Sequence, residues 1–125
     1  MADLRITVED VTLSANWTDE NPDTRAAIEA ALPIEGDASR WGDELYFRIP
    51  VDVPQESAQT TVPVGAVAYW PQGNALCLFW GQTPASTDDR PRAASPVNVV
   101  ATIEDVSPLG SIEGGANVLM DRHRE

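Results

Sequence analysis

Residues 64–86 hold two apolar runs, AVAYW at 66–70 and ALCLFW at 75–80. Pro71-Gln72-Gly73-Asn74 separates them and Gly81-Gln82-Thr83-Pro84 follows the second. Each run has the length of a strand and is too short for a core helix, and a Gly-Asn step between two such runs is a hairpin signal. The spacing predicts antiparallel strands at 66–70 and 75–80 joined at Gln72-Gly73-Asn74. Successive residues on a strand point to opposite faces. Tyr69 and Trp70 therefore cannot both be interior, nor can Phe79 and Trp80. One of each pair fills the core and the other lines an outer surface or groove.

The rest of the chain repeats this style. Leu4, Ile6 and Val8 alternate with Arg5 and Thr7, and Val11, Leu13, Ala15 and Trp17 alternate with Thr12, Ser14 and Asn16. These are two strands with one buried face each, joined at Glu9-Asp10 by a tight turn or a bulge. One helix is expected. Asn21 is a good N-cap, Pro22 suits the first helical position and Asp23 favours the dipole. Ala27, Ile28, Ala31 and Leu32 share a face of the segment 24–32, and Pro33 stops it. Residues 34–41 read as a strand only in part, because Gly36 and Asp37 interrupt the pattern. Residues 44–51 form a clear strand, with Leu45, Phe47 and Ile49 on one face and Tyr46 and Arg48 on the other. Residues 54–61 and 84–96 read as polar loops, and a loop as long as the second is usually functional or mobile. Residues 97–106 give another strand, Ser107-Pro108-Leu109-Gly110 a short helical turn, and 118–120 a last strand. Strands that follow one another with a single helix argue against a parallel βαβ fold. A closed or nearly closed barrel fits, because closure removes exposed edges.

At 125 residues the chain suits one domain, with a core over about 2–120 and a polar tail at 121–125. Such a domain buries roughly two-thirds of its unfolded surface and needs no disulfide or metal to fold. There are 20 acidic residues against 8 basic ones, a formal net charge of −12, and every base is Arg. An acidic, lysine-free surface stays soluble where molar salt screens repulsion, so the composition is that expected of a protein adapted to high salt. A high-GC genome that replaces Lys by Arg is the alternative. The charge argues against nucleic acid and anionic membranes as partners. Met1-Ala2-Asp3-Leu4-Arg5 lacks the pattern of a signal peptide, and no apolar run reaches membrane-span length. The single cysteine, Cys77, fits a reducing cytoplasm.

Three blocks carry a resemblance: Trp41-Gly42-Asp43-Glu44-Leu45-Tyr46-Phe47; Ala68-Tyr69-Trp70-Pro71 through Gly73 and Ala75–Gly81 to Thr83-Pro84; and Ser95-Pro96-Val97-Asn98-Val99. Over roughly residues 2–106 the chain resembles the small cyclophilin-like proteins of archaea and bacteria, a family whose biochemical function is not established. The resemblance implies an all-β fold with one helix, a closed cyclophilin-like β-barrel. At Ala66 the family more often carries an acidic residue, so a site built on that acid would be lost here.

Candidate site residues follow from the blocks. A pocket that takes a small molecule or an extended peptide would be walled by Arg40, Trp41, Tyr69, Trp70, Pro71, Phe79, Thr83, Ser95 and Asn98, using aromatic stacking and a few polar contacts. The second reading is a peptidyl-prolyl isomerase. Phe47-Arg48-Ile49-Pro50 echoes a segment of true cyclophilins in which an arginine polarises the prolyl amide. The histidine of that segment and the downstream Gln-x-Gly-Asp block are missing, so Arg48, with Arg40 behind it, is a weak catalytic candidate. An exposed ion pair with nearby carboxylates is the expected role of Arg48. A third reading is a subunit-interface protein, a homo-oligomer included, whose outward aromatics a partner buries. Cys77 lies in an apolar strand, and the only histidine, His123, is in the polar tail, so a buried inert thiol is expected. No spaced acidic loop suggests a metal and no motif suggests a cofactor.

Overall fold

Nine strands and one α-helix are formed by residues 2–123, the part of the chain described in this computed structural model. β1 (Leu4–Val8) and β2 (Val11–Trp17) form a hairpin across Glu9-Asp10, a two-residue turn with Glu9 at φ 54°. Helix α1 (Pro22–Ala31) leads through a cis Leu32–Pro33 peptide into β3 (Ile34–Arg40). Then come β4 (Glu44–Arg48), β5 (Gln59–Thr61), β6 (Ala66–Trp70), β7 (Ala75–Phe79) and β8 (Arg92–Ile103). A 3-10 turn at Ser107–Ser111 precedes β9 (Ala116–Arg122). The pairing order is β2-β1-β9-β3-β4-β7-β6-β8, and β2 pairs in turn with β8, so the ring closes and β5 lies beside β8 outside it. Closure satisfies the backbone groups that an open edge would expose.

Alternation along the strands sorts side chains into two cores. The interior takes Leu4, Ile6 and Val8 from β1, Leu45 and Phe47 from β4, Leu76 and Leu78 from β7, and Val118 and Met120 from β9, with Ile28 and Leu32 closing in from the helix. The outer face of β4, β6, β7 and β8 carries a second cluster of Val62, Ala66, Ala68, Cys77, Phe79, Ala93, Val97 and Val99. The β6–β8 register slips between Ala68↔Val99 and Val67↔Ala101. This bulge inserts one residue and reverses which face the following odd-numbered positions address. Val97 and Val99 thus belong to the outer cluster, while Ala101 and Ile103 belong to the interior.

Several boundaries differ from the sequence expectation. β3 runs unbroken through Gly36 and Asp37, because pairing with β9 along Ile34–Ala38 supplies the ladder that local propensity does not. β8 begins at Arg92, so the expected loop at 84–96 ends sooner; Thr61 and Gln59 of β5 pair with its first half. β9 takes in Asp121 and Arg122, which pair with β1, and of the expected tail Arg124 and Glu125 lie outside the described residues. The helix starts at Pro22 as expected, but the Asn21 side chain does not cap it. Asn21 Nδ2 donates to the Val99 carbonyl at 2.7 Å and its Oδ1 accepts from the Ser57 N–H at 2.7 Å. Glu56 is the cap, accepting from the Asp23 and Thr24 N–H groups at 3.1 Å each and from the Thr24 hydroxyl at 2.9 Å. Desolvation raises the Glu56 pKa, but these hydrogen bonds outweigh it and hold the carboxyl below its usual value. A carboxylate here also faces the positive end of the helix dipole.

Candidate functional site

Two glycines shape the rim of the outer cluster. Gly42 sits at φ +62°, and a Cβ there would lie 2.8 Å from Thr83 Cα and 2.9 Å from the Gln82 carbonyl oxygen. Only glycine lets the 41–43 turn pack this closely on the segment leaving β7. The contact is sealed by Asp43 N–H donating to the Gln82 carbonyl at 2.8 Å and Trp80 N–H to the Asp43 carbonyl at 3.0 Å. At the opposite end of the hairpin the Trp70 ring lies on Gly73, where a Cβ would fall 2.5 Å from the indole. The Trp70 Nε1–H donates to Ser95 Oγ, which donates in turn to Gln72 Oε1 at 3.1 Å.

Between these fixed points the outer cluster is incompletely filled, leaving a cavity of about 280 Å³. Trp41, Tyr46 and Trp70 give it aromatic walls, and Ala93, Ala94 and Val97 of β8 give it an aliphatic one. The Tyr46 and Trp70 rings meet edge to face, with centroids 6.3 Å apart and planes at 86°. Glu44 and Cys77 complete the lining. Glu44 is placed there by register: it pairs with Phe79, so its side chain shares a face with Tyr46 and stands diagonal to Cys77 across the β4–β7 ladder.

Glu44 is 5% exposed and forms no ion pair among the described residues. Burial pushes its pKa up to about 7, against a smaller opposing effect of the hydrogen bond from the Cys77 thiol. The Cys77 thiol is pushed well above its ordinary value, first by burial, then by the charge of Glu44 and by the hydrogen bond to it. Near neutral pH it holds its proton, so the pair does not make a nucleophile. The site offers an apolar, aromatic chamber with one carboxyl poised between its two protonation states.

A family model described as cyclophilin-like matches residues 2–121. The chain belongs to the cyclophilin-like family. This cyclophilin-like protein is also similar to the solution structure of a hypothetical protein from Archaeoglobus fulgidus. The TM-score is 0.81 at 41% identity, over 98% of this chain and 95% of the other. No curated protein matches it. No helix among the described residues is long and apolar enough to cross a membrane.

Of the residues expected at a site, Trp41 and Trp70 line the cavity, and Ser95 is tied to it through the Trp70 indole. Pro71 lies half-buried in the adjoining turn. Tyr69 lies on the other face, in the ring interior, where its hydroxyl donates to the Val51 carbonyl at 2.7 Å and accepts from Asn74 Nδ2 at 3.0 Å. Phe79 is fully buried in the outer cluster and Trp80 packs in part against the interior, so one member of each aromatic pair serves each face. Asn98 is fully buried away from the cavity; its Nδ2 donates to Thr24 Oγ1 and the Pro54 carbonyl, and its Oδ1 accepts from the Glu56 N–H. Thr83 is 7% exposed and donates its hydroxyl to the Arg92 carbonyl. Arg40 is occupied outside the cavity, with Asp43 at 3.0 Å, the Gly42 and Ile112 carbonyls at 2.8 Å each, and the Trp80 ring beneath its guanidinium. Arg48 is exposed and makes none of the ion pairs expected of it among the described residues. Neither arginine lines the cavity. Sequence reasoning missed Glu44, Tyr46 and Cys77 as one group. Strand parity alone places Glu44 and Tyr46 on one face, and hairpin parity places Cys77 with Trp70, but nothing local says that this face is covered.

Proposed function

We propose that this protein is a binding module and that its site is the outer-face cavity, which takes a small molecule with an apolar body and one group that meets Glu44. The observation that carries this reading is a nearly buried carboxyl lining a preformed aromatic chamber. Folding is not helped by that arrangement, since a carboxyl buried without an ion pair costs stability even with the Cys77 thiol hydrogen-bonded to it. Ligand pockets commonly combine such apolar walls with a few placed polar groups. At about 280 Å³ the cavity suits a small molecule better than an extended peptide, which would need a groove along a strand. Binding is favoured over prolyl isomerisation because, among the described residues, no guanidinium lines the chamber to stabilise a twisted amide.

The test is a screen of small aromatic and aliphatic fragments followed by NMR, on the wild type and on Ala94→Trp. Ala94 is an exposed lining residue, so a large ring there plugs the mouth without entering the core. The expected result is shifts confined to Trp41, Tyr46, Trp70 and Cys77 that vanish in the plugged variant. Shifts that map elsewhere, or that survive the plug, reject the site.

A further inference from the structure

Glu44 has an electrostatic surrounding unlike that of the chain's other described carboxylates with clear partners. Asp43 is paired with Arg40 and Asp88 with Arg90, and Glu56 accepts backbone N–H groups. Glu44 is 5% exposed with only a thiol for company. Buried charges in proteins are ordinarily paired or hydrogen-bonded, and among the described residues no cation pairs with this one. Three aromatic side chains surround the same space, and two of them, Tyr46 and Trp70, form a right-angled corner. Aromatic faces attract cations, most strongly when water is excluded, and rings arranged as a cage are a known means of recognising methylated ammonium groups.

We propose that the occupant of the cavity is a small organic cation, a quaternary or methylated ammonium compound, held by the Trp41, Tyr46 and Trp70 rings and neutralised by the Glu44 carboxylate. The inference rests on the cavity being the binding site. A quaternary ammonium donates no hydrogen bond, which suits a lining made mostly of aromatic and aliphatic side chains. The net charge of −12 adds a long-range field that draws cations toward the protein. Binding is linked to protons. The Cys77 thiol, which lines the cavity beside Glu44, keeps its proton near neutral pH. A bound cation favours ionised Glu44, so affinity rises as pH climbs through about 7 and the cation displaces a proton at lower pH.

The experiment compares choline with 3,3-dimethylbutan-1-ol, in which carbon replaces the quaternary nitrogen. Both are titrated into the full chain at fixed ionic strength, and the indole N–H signals of Trp41 and Trp70 are followed. At pH 8.5 choline is expected to bind about tenfold or more tighter than the alcohol. At pH 5.5 the two are expected to converge. Glu44→Gln should show the converged behaviour at both pH values, and Trp70→Leu should weaken both probes. Equal binding of the two probes at pH 8.5 overturns the cation while leaving the cavity as a site. Choline binding that is indifferent to Glu44→Gln also overturns it, since surface carboxylates would then be responsible. If neither these probes nor any fragment shifts the indole signals, the cavity itself is rejected.

Discussion

The two faces of the β4–β7–β6 sheet are built from the same strands and solve different problems. The inner face is filled: Leu45, Phe47, Leu76, Leu78 and Val67 are all 3% exposed or less, and its one large polar residue, Tyr69, has its hydroxyl satisfied. The outer face is also buried, but by small residues, Ala66, Ala68 and Ala93, so a cavity remains and an unpaired carboxyl borders it. Close packing and satisfied polar groups maximise stability. The outer face departs from the first condition and, at the same place, buries a carboxyl with no ion pair among the described residues; such departures cluster at functional sites. The inner face therefore reads as stability and the outer one as the place of the proposed site.

The largest expected effect tests the inner face. Leu78→Ala removes a fully buried side chain and should cost about 2–5 kcal/mol in chemical denaturation. Val97→Ala, beside the existing cavity, should cost less, and equal losses would mean that the outer cluster is packed as tightly as the interior. Glu44 gives the next effect, of opposite sign. The folded carboxyl keeps its proton up to about pH 7, whereas the ordinary value is 4.5, so the folded state binds more protons between these limits. Its contribution to stability is full below about 4.5, falls as pH rises, and levels off above about 7. The 2.5-unit difference between 4.5 and about 7 corresponds to about 3 kcal/mol. Glu44→Gln should thus raise the thermal midpoint at pH 8.5 and leave it nearly unchanged at pH 4.5. A variant that is destabilised at both values would show Glu44 to be a structural partner rather than a strained one.

The smallest effect concerns the charged exterior that encloses both faces. With 20 acids against 8 bases, repulsion is strong when unscreened, and the Debye length falls from about 10 Å at 0.1 M salt to about 3 Å at 1 M. The thermal midpoint should rise along a KCl series into the molar range. A flat or falling trend removes the high-salt reading of the composition.

Much of the fold was readable in the sequence because it depends on neighbours in the chain. Period-two alternation marked Leu4, Ile6, Val8, Leu45 and Phe47 as one-sided, and all are buried on one face. The hairpin of 66–70 with 75–80 followed from the length of two apolar runs and the turn between them, and Tyr69↔Leu76 and Trp70↔Ala75 pair as that requires. The family resemblance extended this to the ring. What tertiary structure alone decided is which face is which, and what covers it. Parity put Tyr69 and Trp70 on opposite sides, but only ring closure made Tyr69 interior. The bulge before Ala101 reversed the parity of β8, a change of one residue that no periodicity forecasts. Asn21 looked like a cap and became a tie between Val99 and Ser57, because Glu56, 35 positions away, reached the helix first. Glu44 looked like an ordinary acid in an acidic chain. Its place in a cavity comes from Trp70, Ala93 and Val97, brought over it from other parts of the chain, and burial raises its pKa there; desolvation by distant segments leaves no mark on the residues next to it in sequence.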